Sequence, residues 1–284
     1  MFTWQLLIFI ALLFYAFGVT LQRHLLSSLA VRGEIFGTVL QMLIGSVSFA
    51  LLLPFGTFSL QGIEKVPFSI VAMTILFSIL TYLANVGLQK VEASRFTILY
   101  ALRAVFGTMF AGLFLHESLN GSQMMGMGLI ILGILISNGR GLKGGFAGGE
   151  KWVLLAAFVN GIASVNDRMI LSSMEGLSYT VIAFLFPGIV CLIIFLRPTI
   201  VFVRSLSARQ WASMVLLSCI YALSTFAYFK SVELAPSISQ VISINMTSVL
   251  VVVLFSIVFL KERSNLIAKM IGAGLAVLGS TRLL

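Results

Sequence analysis

The chain has 284 residues, 60% of them hydrophobic and only 10% charged, with a formal net charge of +9. Soluble domains carry about 25% charged residues, so a water-soluble globule of this length is excluded for want of polar surface to cover its core. The basic residues are scattered through short connections between long apolar runs, which speaks for orientation in a bilayer and against a nucleic-acid surface.

Stretches of the roughly 20 residues needed to cross a bilayer recur ten times, at about 4–22, 35–53, 68–88, 95–115, 122–138, 151–171, 178–196, 211–229, 237–260 and 266–283. The first has no Lys or Arg between Met1 and Gln22 and is expected to stay as a helix, not to be cleaved as a leader. Most connections are very short, as at His116 to Gly121 and Lys261 to Asn265, so consecutive helices are predicted to be antiparallel neighbours. Pro187 falls inside the seventh span and predicts a kink. Cys191 and Cys219 both lie in apolar runs without metal-ligand spacing, and neither a disulfide framework nor a metal or cofactor site is expected.

The connector Gly139-Arg-Gly-Leu-Lys-Gly-Gly-Phe-Ala-Gly-Gly-Glu150 differs from the rest. It is glycine-rich, unsuited to helix, and sits at the midpoint of the chain. Gly126-Met-Gly-Leu-Ile-Ile-Leu-Gly133 in the fifth span matches Gly272-Ala-Gly-Leu-Ala-Val-Leu-Gly279 in the tenth. Each follows a short acidic turn, Leu115-His-Glu117 and Leu260-Lys-Glu262, and Lys90-Val-Glu92 is echoed by Lys230-Ser-Val-Glu233. The organisation read from these matches is a five-helix repeat over 1–138, a linker over 139–150 and a second repeat over 151–284. Five is odd, so the second repeat is inverted, the architecture by which carriers present one site to two sides in turn. The predicted fold class is all-α integral membrane, with ten transmembrane helices as two inverted five-helix repeats.

With an acidic turn followed by a glycine-patterned span once per half, in His116-Glu117-Ser118-Leu119 and Lys261-Glu262-Arg263-Ser264, the chain resembles the EamA-type branch of the drug/metabolite transporter superfamily. Ser118 stands where that family commonly has a basic residue. The resemblance implies a central cavity lined mainly by the third, fourth, eighth and ninth helices, with help from the first and sixth, and a scaffolding role for the fifth and tenth. It does not name the cargo.

Arg103 is placed near the middle of the fourth span, where a guanidinium costs roughly 2.5–3.5 kcal/mol on insertion scales. No carboxylate lies at matching depth, since Glu34, Glu92, Asp167 and Glu233 fall near span ends. A fixed, forked positive charge facing a cavity suits a carboxylate or phosphate. Tyr100 and Phe96 precede it at helical spacing. Ser78, Tyr82, Asn85 and Gln89 form a polar stripe on the third span, read as either cavity wall or interhelical hydrogen bonding. The eighth span repeats the theme with Ser218, Tyr221, Thr225 and Tyr228, the sixth aligns Asn160, Ser164 and Asp167, and the ninth contains Asn245 and Ser248. Arg103 and Ser248 lie at equivalent positions, 14 residues before Glu117 and Glu262, so a cavity asymmetric in charge is expected. The candidate substrate-binding set is Arg103, Tyr100, Phe96, Tyr82, Asn85, Ser78, Asn160, Tyr221, Thr225, Tyr228, Asn245 and Ser248.

Thirteen of the 18 Lys and Arg fall in odd-numbered connections and four in even-numbered connections or tails, Arg103 being the last. The positive-inside rule then puts both termini outside the cytoplasm, in a multi-pass protein of the cell (inner) membrane. No paired carboxylates, His-rich set or Ser/His/Asp constellation marks an enzyme. The expected partners are a small-molecule substrate and the lipid bilayer, not nucleic acid, and a homodimer stays open. The expected function is alternating-access transport of a small anionic or zwitterionic metabolite such as an amino acid. An exporter of amphiphilic drugs and a channel-like facilitator remain as alternatives.

Overall fold

The computed structural model of the chain describes residues 4–52, 58–115, 120–137, 148–235, 241, 244–262 and 264–282. The acidic turn at 116–119 and most of the glycine-rich connector lie outside these residues. Among the described residues the secondary structure is helical throughout. In chain order the helices are α1 (Trp4–Ser28), α2 (Gly33–Leu52), α3 (Pro67–Lys90), α4 (Ala93–Tyr100), α5 (Leu102–Leu115), α6 (Gly121–Ser137), α7 (Glu150–Leu171), α8 (Gly176–Ile194), α9 (Leu196–Ser205), α10 (Ala208–Leu234), α11 (Ser248–Phe259) and α12 (Leu266–Arg282).

Among the described residues seven helical stretches are long and apolar enough to cross a membrane, α4 and α5 counting together as Ala93–Phe114. Gly121–Ser137 and Ile244–Phe259 are shorter apolar helices, and α12 has 17 residues. Large apolar side chains point outward, among them Phe68 at 89%, Ile267 at 77% and Ile193 at 71% exposed. In water these would form aggregating patches, whereas against lipid they need no cover. The segment after the seventh span, read from sequence as connector, contains the short α9, which carries Arg197 and Arg204 and leaves Leu196, Ile200 and Val201 exposed. A helix of mixed charge and apolar residues suits the bilayer interface.

The helices pair across the two halves. α1 packs on α10, α3 on α7, α2 on α8, α5 on α7, α1 on α11 and α6 on α12. Exchanging the halves maps this set onto itself. The contacts also run antiparallel: Gly126 meets Gly279 while Gly133 meets Gly272, and Gly45 meets Leu185 while Gly188 meets Met42. The second half is therefore inverted relative to the first.

Small residues permit these approaches. A Cβ added at Gly126 would lie 2.5 Å from the Gly279 carbonyl oxygen, and one at Gly133 would lie 2.5 Å from that of Gly272. Gly128 and Gly274, interleaved in the same pattern, have nothing within 4 Å. The kink residue is also accounted for. Pro187 cannot donate to the carbonyl of Ala183, and Gln41 Nε2 donates to that oxygen instead, at 3.5 Å.

The glycine pattern gives a direct prediction. Gly133→Ala and Gly279→Ala each lower stability, by about 1–3 kcal/mol as overpacked contacts do. Gly128→Ala and Gly274→Ala are neutral or gain up to about 1 kcal/mol from helix propensity. Thermal unfolding of the four purified variants in detergent checks the contrast.

Candidate functional site

In the fourth rod of the first half the helix tightens for one turn at Ala101, between α4 and α5, where Ala104 N donates to Ala101 O at 3.0 Å, an i→i+3 bond. Thr247, just before α11, makes a similar turn, its N–H and its hydroxyl donating to Ile244 O at 3.0 and 2.6 Å. Arg103 stands two residues past the first of these turns.

Beside it lies a cavity of about 1030 Å³ whose walls include Arg103, Asn160, Thr225, Tyr228 and Asn245 from the candidate set. Tyr15, Ser164 and Ser224 continue the wall, and Asp167 lies further along α7 toward its end. Gln123, Arg168, Ser172, Glu175 and Ser280 line it at helix ends on the face where α1 begins and α12 ends, here called the terminal face. The cavity therefore opens toward that terminal face.

The guanidinium is held by aromatics. Its central carbon sits 4.8 Å from the Tyr100 ring centroid, a cation–π arrangement that favours a charge short of water. Phe96 stacks behind Tyr100 at 5.3 Å and 22°. Tyr15 and Tyr228 also lie within electrostatic range of Arg103, and Asn160 reaches the Tyr100 side chain. Among the described residues no carboxylate forms an ion pair with Arg103.

Several candidates lie elsewhere. Tyr100 and Phe96 are buried behind Arg103, at 7% and 5% exposed, and support it without lining the cavity. Ser78 donates to Thr74 O at 2.7 Å and to Pro187 O at 3.4 Å, joining α3 to α8. Tyr82 is wedged against Trp152 and Phe195. Ser248 is buried in the core. Asn85 and Tyr221 belong to the floor described below. The third helix thus contributes no residue to this wall, contrary to the cavity-wall reading of its stripe and to what the family resemblance implied. Its polar groups are spent on neighbouring helices. Tyr15 escaped notice because its surroundings in the sequence are uniformly apolar, and Ser164 and Asp167 were aligned with Asn160 but not chosen.

Toward the opposite, far face polar contacts run within the first half and across to the second. Tyr221 Oη donates to Gln22 Oε1 at 2.5 Å, Gln22 Nε2 to Asn85 Oδ1 at 2.7 Å, and Asn85 Nδ2 to Thr81 O at 2.8 Å. This chain ties α10, α1 and α3 together near the far-face ends of α1 and α3. Further out, the Glu262 carboxylate accepts from Ala93 N at 2.8 Å, Ser94 N at 3.1 Å and Ser94 Oγ at 2.7 Å, capping α4 from the other half. An anion at a helix N-terminus is favourable. Glu92 accepts from Lys269 Nζ and from Ser264 Oγ, the latter at 2.8 Å, and Arg95 pairs with Glu150.

Partial burial alone would raise the Glu92 carboxyl, but the hydrogen bonds of Lys269 and Ser264, with the charges of Lys269 and Arg95, hold it below its ordinary value. A depressed acid stabilises the fold fully above its ordinary value of 4.5 and loses that contribution as pH falls through the lowered value. Wild type should therefore unfold at a higher temperature than Glu92→Gln at neutral pH, with the gap shrinking toward zero as pH drops below about 4.5. Melting curves of both proteins from pH 3 to 7 give the check, and a gap that does not change with pH would contradict the ion pair.

No group of three or more His, Cys, Asp or Glu that could hold a metal occurs among the described residues. None of the curated proteins matches the chain. A solved structure described as a crystal structure of a protein covers 98% of this chain and 94% of its own, with a TM-score of 0.63 at 18% identity. It shares the fold. The EamA-like transporter family matches twice, over residues 2–139 and 147–284, once for each half. The chain belongs to the EamA-like transporter family.

Proposed function

We propose that this transporter carries small anionic or zwitterionic metabolites by alternating access, through ten spans arranged as two inverted five-helix repeats. The observation that carries this reading is Arg103: a guanidinium at mid-span, unpaired with any described carboxylate, on the wall of a cavity whose outer lining lies at the terminal face. A charge in that position is costly unless water or a solute answers it, and a carboxylate or phosphate answers it with charge-assisted hydrogen bonds. The far-face contacts argue for a carrier over an open channel, because those of Tyr221, Glu262 and Lys269 join the two halves.

The distribution of Lys and Arg favours the far face as cytoplasmic. On that assignment the cavity faces the outside of the cell membrane and both termini lie there too. The cargo is a single small molecule held between the halves, with the bilayer as the other partner.

Counterflow into proteoliposomes, screened with labelled carboxylates, phosphates and amino acids, tests the site. A charge-assisted hydrogen bond contributes about 1.5–3 kcal/mol, so Arg103→Ala should slow uptake about ten- to hundredfold. Ser78→Ala, off the wall, should change it less than about twofold. Arg103→Ala uptake equal to wild type for every anion tested would remove Arg103 from the site.

A further inference from the structure

We infer that Asp167 is the second charged pole of the cavity and selects solutes that carry an amine several bonds away from their acid group. This rests on the carrier reading and on the role given to Arg103.

Asp167 lies on the α7 stripe that also sets Asn160 and Ser164 on the cavity wall. Its carboxylate accepts a hydrogen bond from the hydroxyl of Tyr179, a side chain with no exposed surface, so its position is fixed from behind. Among the described residues no Lys or Arg forms an ion pair with it. Inward of Arg168 and Glu175, which line the same cavity at the helix ends, it thus holds a guanidinium and a carboxylate, each supported by tyrosine.

Their separation follows from the helix. Asn160 reaches Tyr100, the ring beneath Arg103, and so marks the level of the guanidinium. Asp167 is seven residues further on, about 10 Å along the axis toward the open end. Tyr228, on the facing α10, is within electrostatic range of Arg103 and Asp167 together, so one wall runs past both poles. Opposite charges set apart along a pocket wall orient a dipolar solute along the line between them. The acid end goes down to Arg103 and the basic end up to Asp167.

An α-ammonium, two bonds from its carboxyl carbon, cannot reach from one pole to the other. An amine at the end of an alkyl chain can. L-lysine and 6-aminohexanoate carry one, whereas L-norleucine and hexanoate have the same chain length without it.

Thermal stabilisation of the purified transporter by these four probes decides the matter. In wild type, L-lysine and 6-aminohexanoate should raise the melting temperature at concentrations about tenfold or more below those needed of L-norleucine and hexanoate. Asp167→Asn should abolish that advantage, bringing the amine-bearing probes level with the amine-free ones, and Asp167→Glu should keep it. Arg103→Ala should weaken all four. Equal responses to all four probes in wild type would overturn the inference whether or not the variants fold, as would an advantage that survives Asp167→Asn, or no response to any probe. A hexanoate response lost in Arg103→Ala, with no benefit from the distal amine, would sink Asp167 alone and leave the carrier reading standing. Binding of 6-aminohexanoate untouched by Arg103→Ala would sink that reading.

Discussion

A guanidinium that never loses its proton, placed halfway along a membrane-spanning rod, sets the terms for the rest of this molecule. It needs donors' partners, polarisable surface and water, and hydrocarbon supplies none of them. Tyr100 gives it an aromatic face, Phe96 braces that ring, and the hydroxyl-bearing rings of Tyr15 and Tyr228 approach from α1 and α10. What remains unmet is negative charge, and the chain leaves it unmet among the described residues. The wet hollow beside Arg103 is the consequence of that choice, and solute recognition follows from the hollow.

The scaffold around it is symmetric, and the site is not. Glycine contacts join α6 to α12 in a pattern that reads the same from either half, and Ala101 and Thr247 each mark a one-residue turn, before α5 and before α11. Yet the residue equivalent to Arg103 is Ser248, buried in packing. The ends differ in the same way. Toward the terminal face the helices part around the cavity, while at the far face Glu262, Lys269 and Tyr221 of one half hold Ala93, Glu92 and Gln22 of the other. An inverted pair of repeats can exchange these two conditions, and a charge carried by one half alone gives the shared site its polarity.

Much of this was legible in the sequence. Composition gave the membrane, the repeated glycine octapeptide marked the two halves, and a lone arginine in an apolar run pointed to the cavity. The residues that misled share one property. Ser78, Tyr82 and Asn85 repeat at helical spacing, which shows that a face of α3 turns inward but not whether water or another helix meets it. Pro187, Trp152 and Gln22 meet it here, and those partners lie 109, 70 and 63 residues away in sequence. Tyr15 failed in the opposite sense: a single polar atom in an apolar helix carries no period. Asp167 was discounted for its place near a helix end, although an open cavity reaches toward that end.

The account stands on the hollow beside Arg103 being wet and reached from one side. The most direct measurement places a single cysteine at Asn160, in protein whose Cys191 and Cys219 are replaced by serine, and adds a membrane-impermeant maleimide to one side of sealed vesicles at a time. The account predicts labelling from the terminal face, slowed by a transported anion, and little labelling from the far face. A cysteine at Asn160 that reacts from neither side, or equally from both without protection, would contradict it.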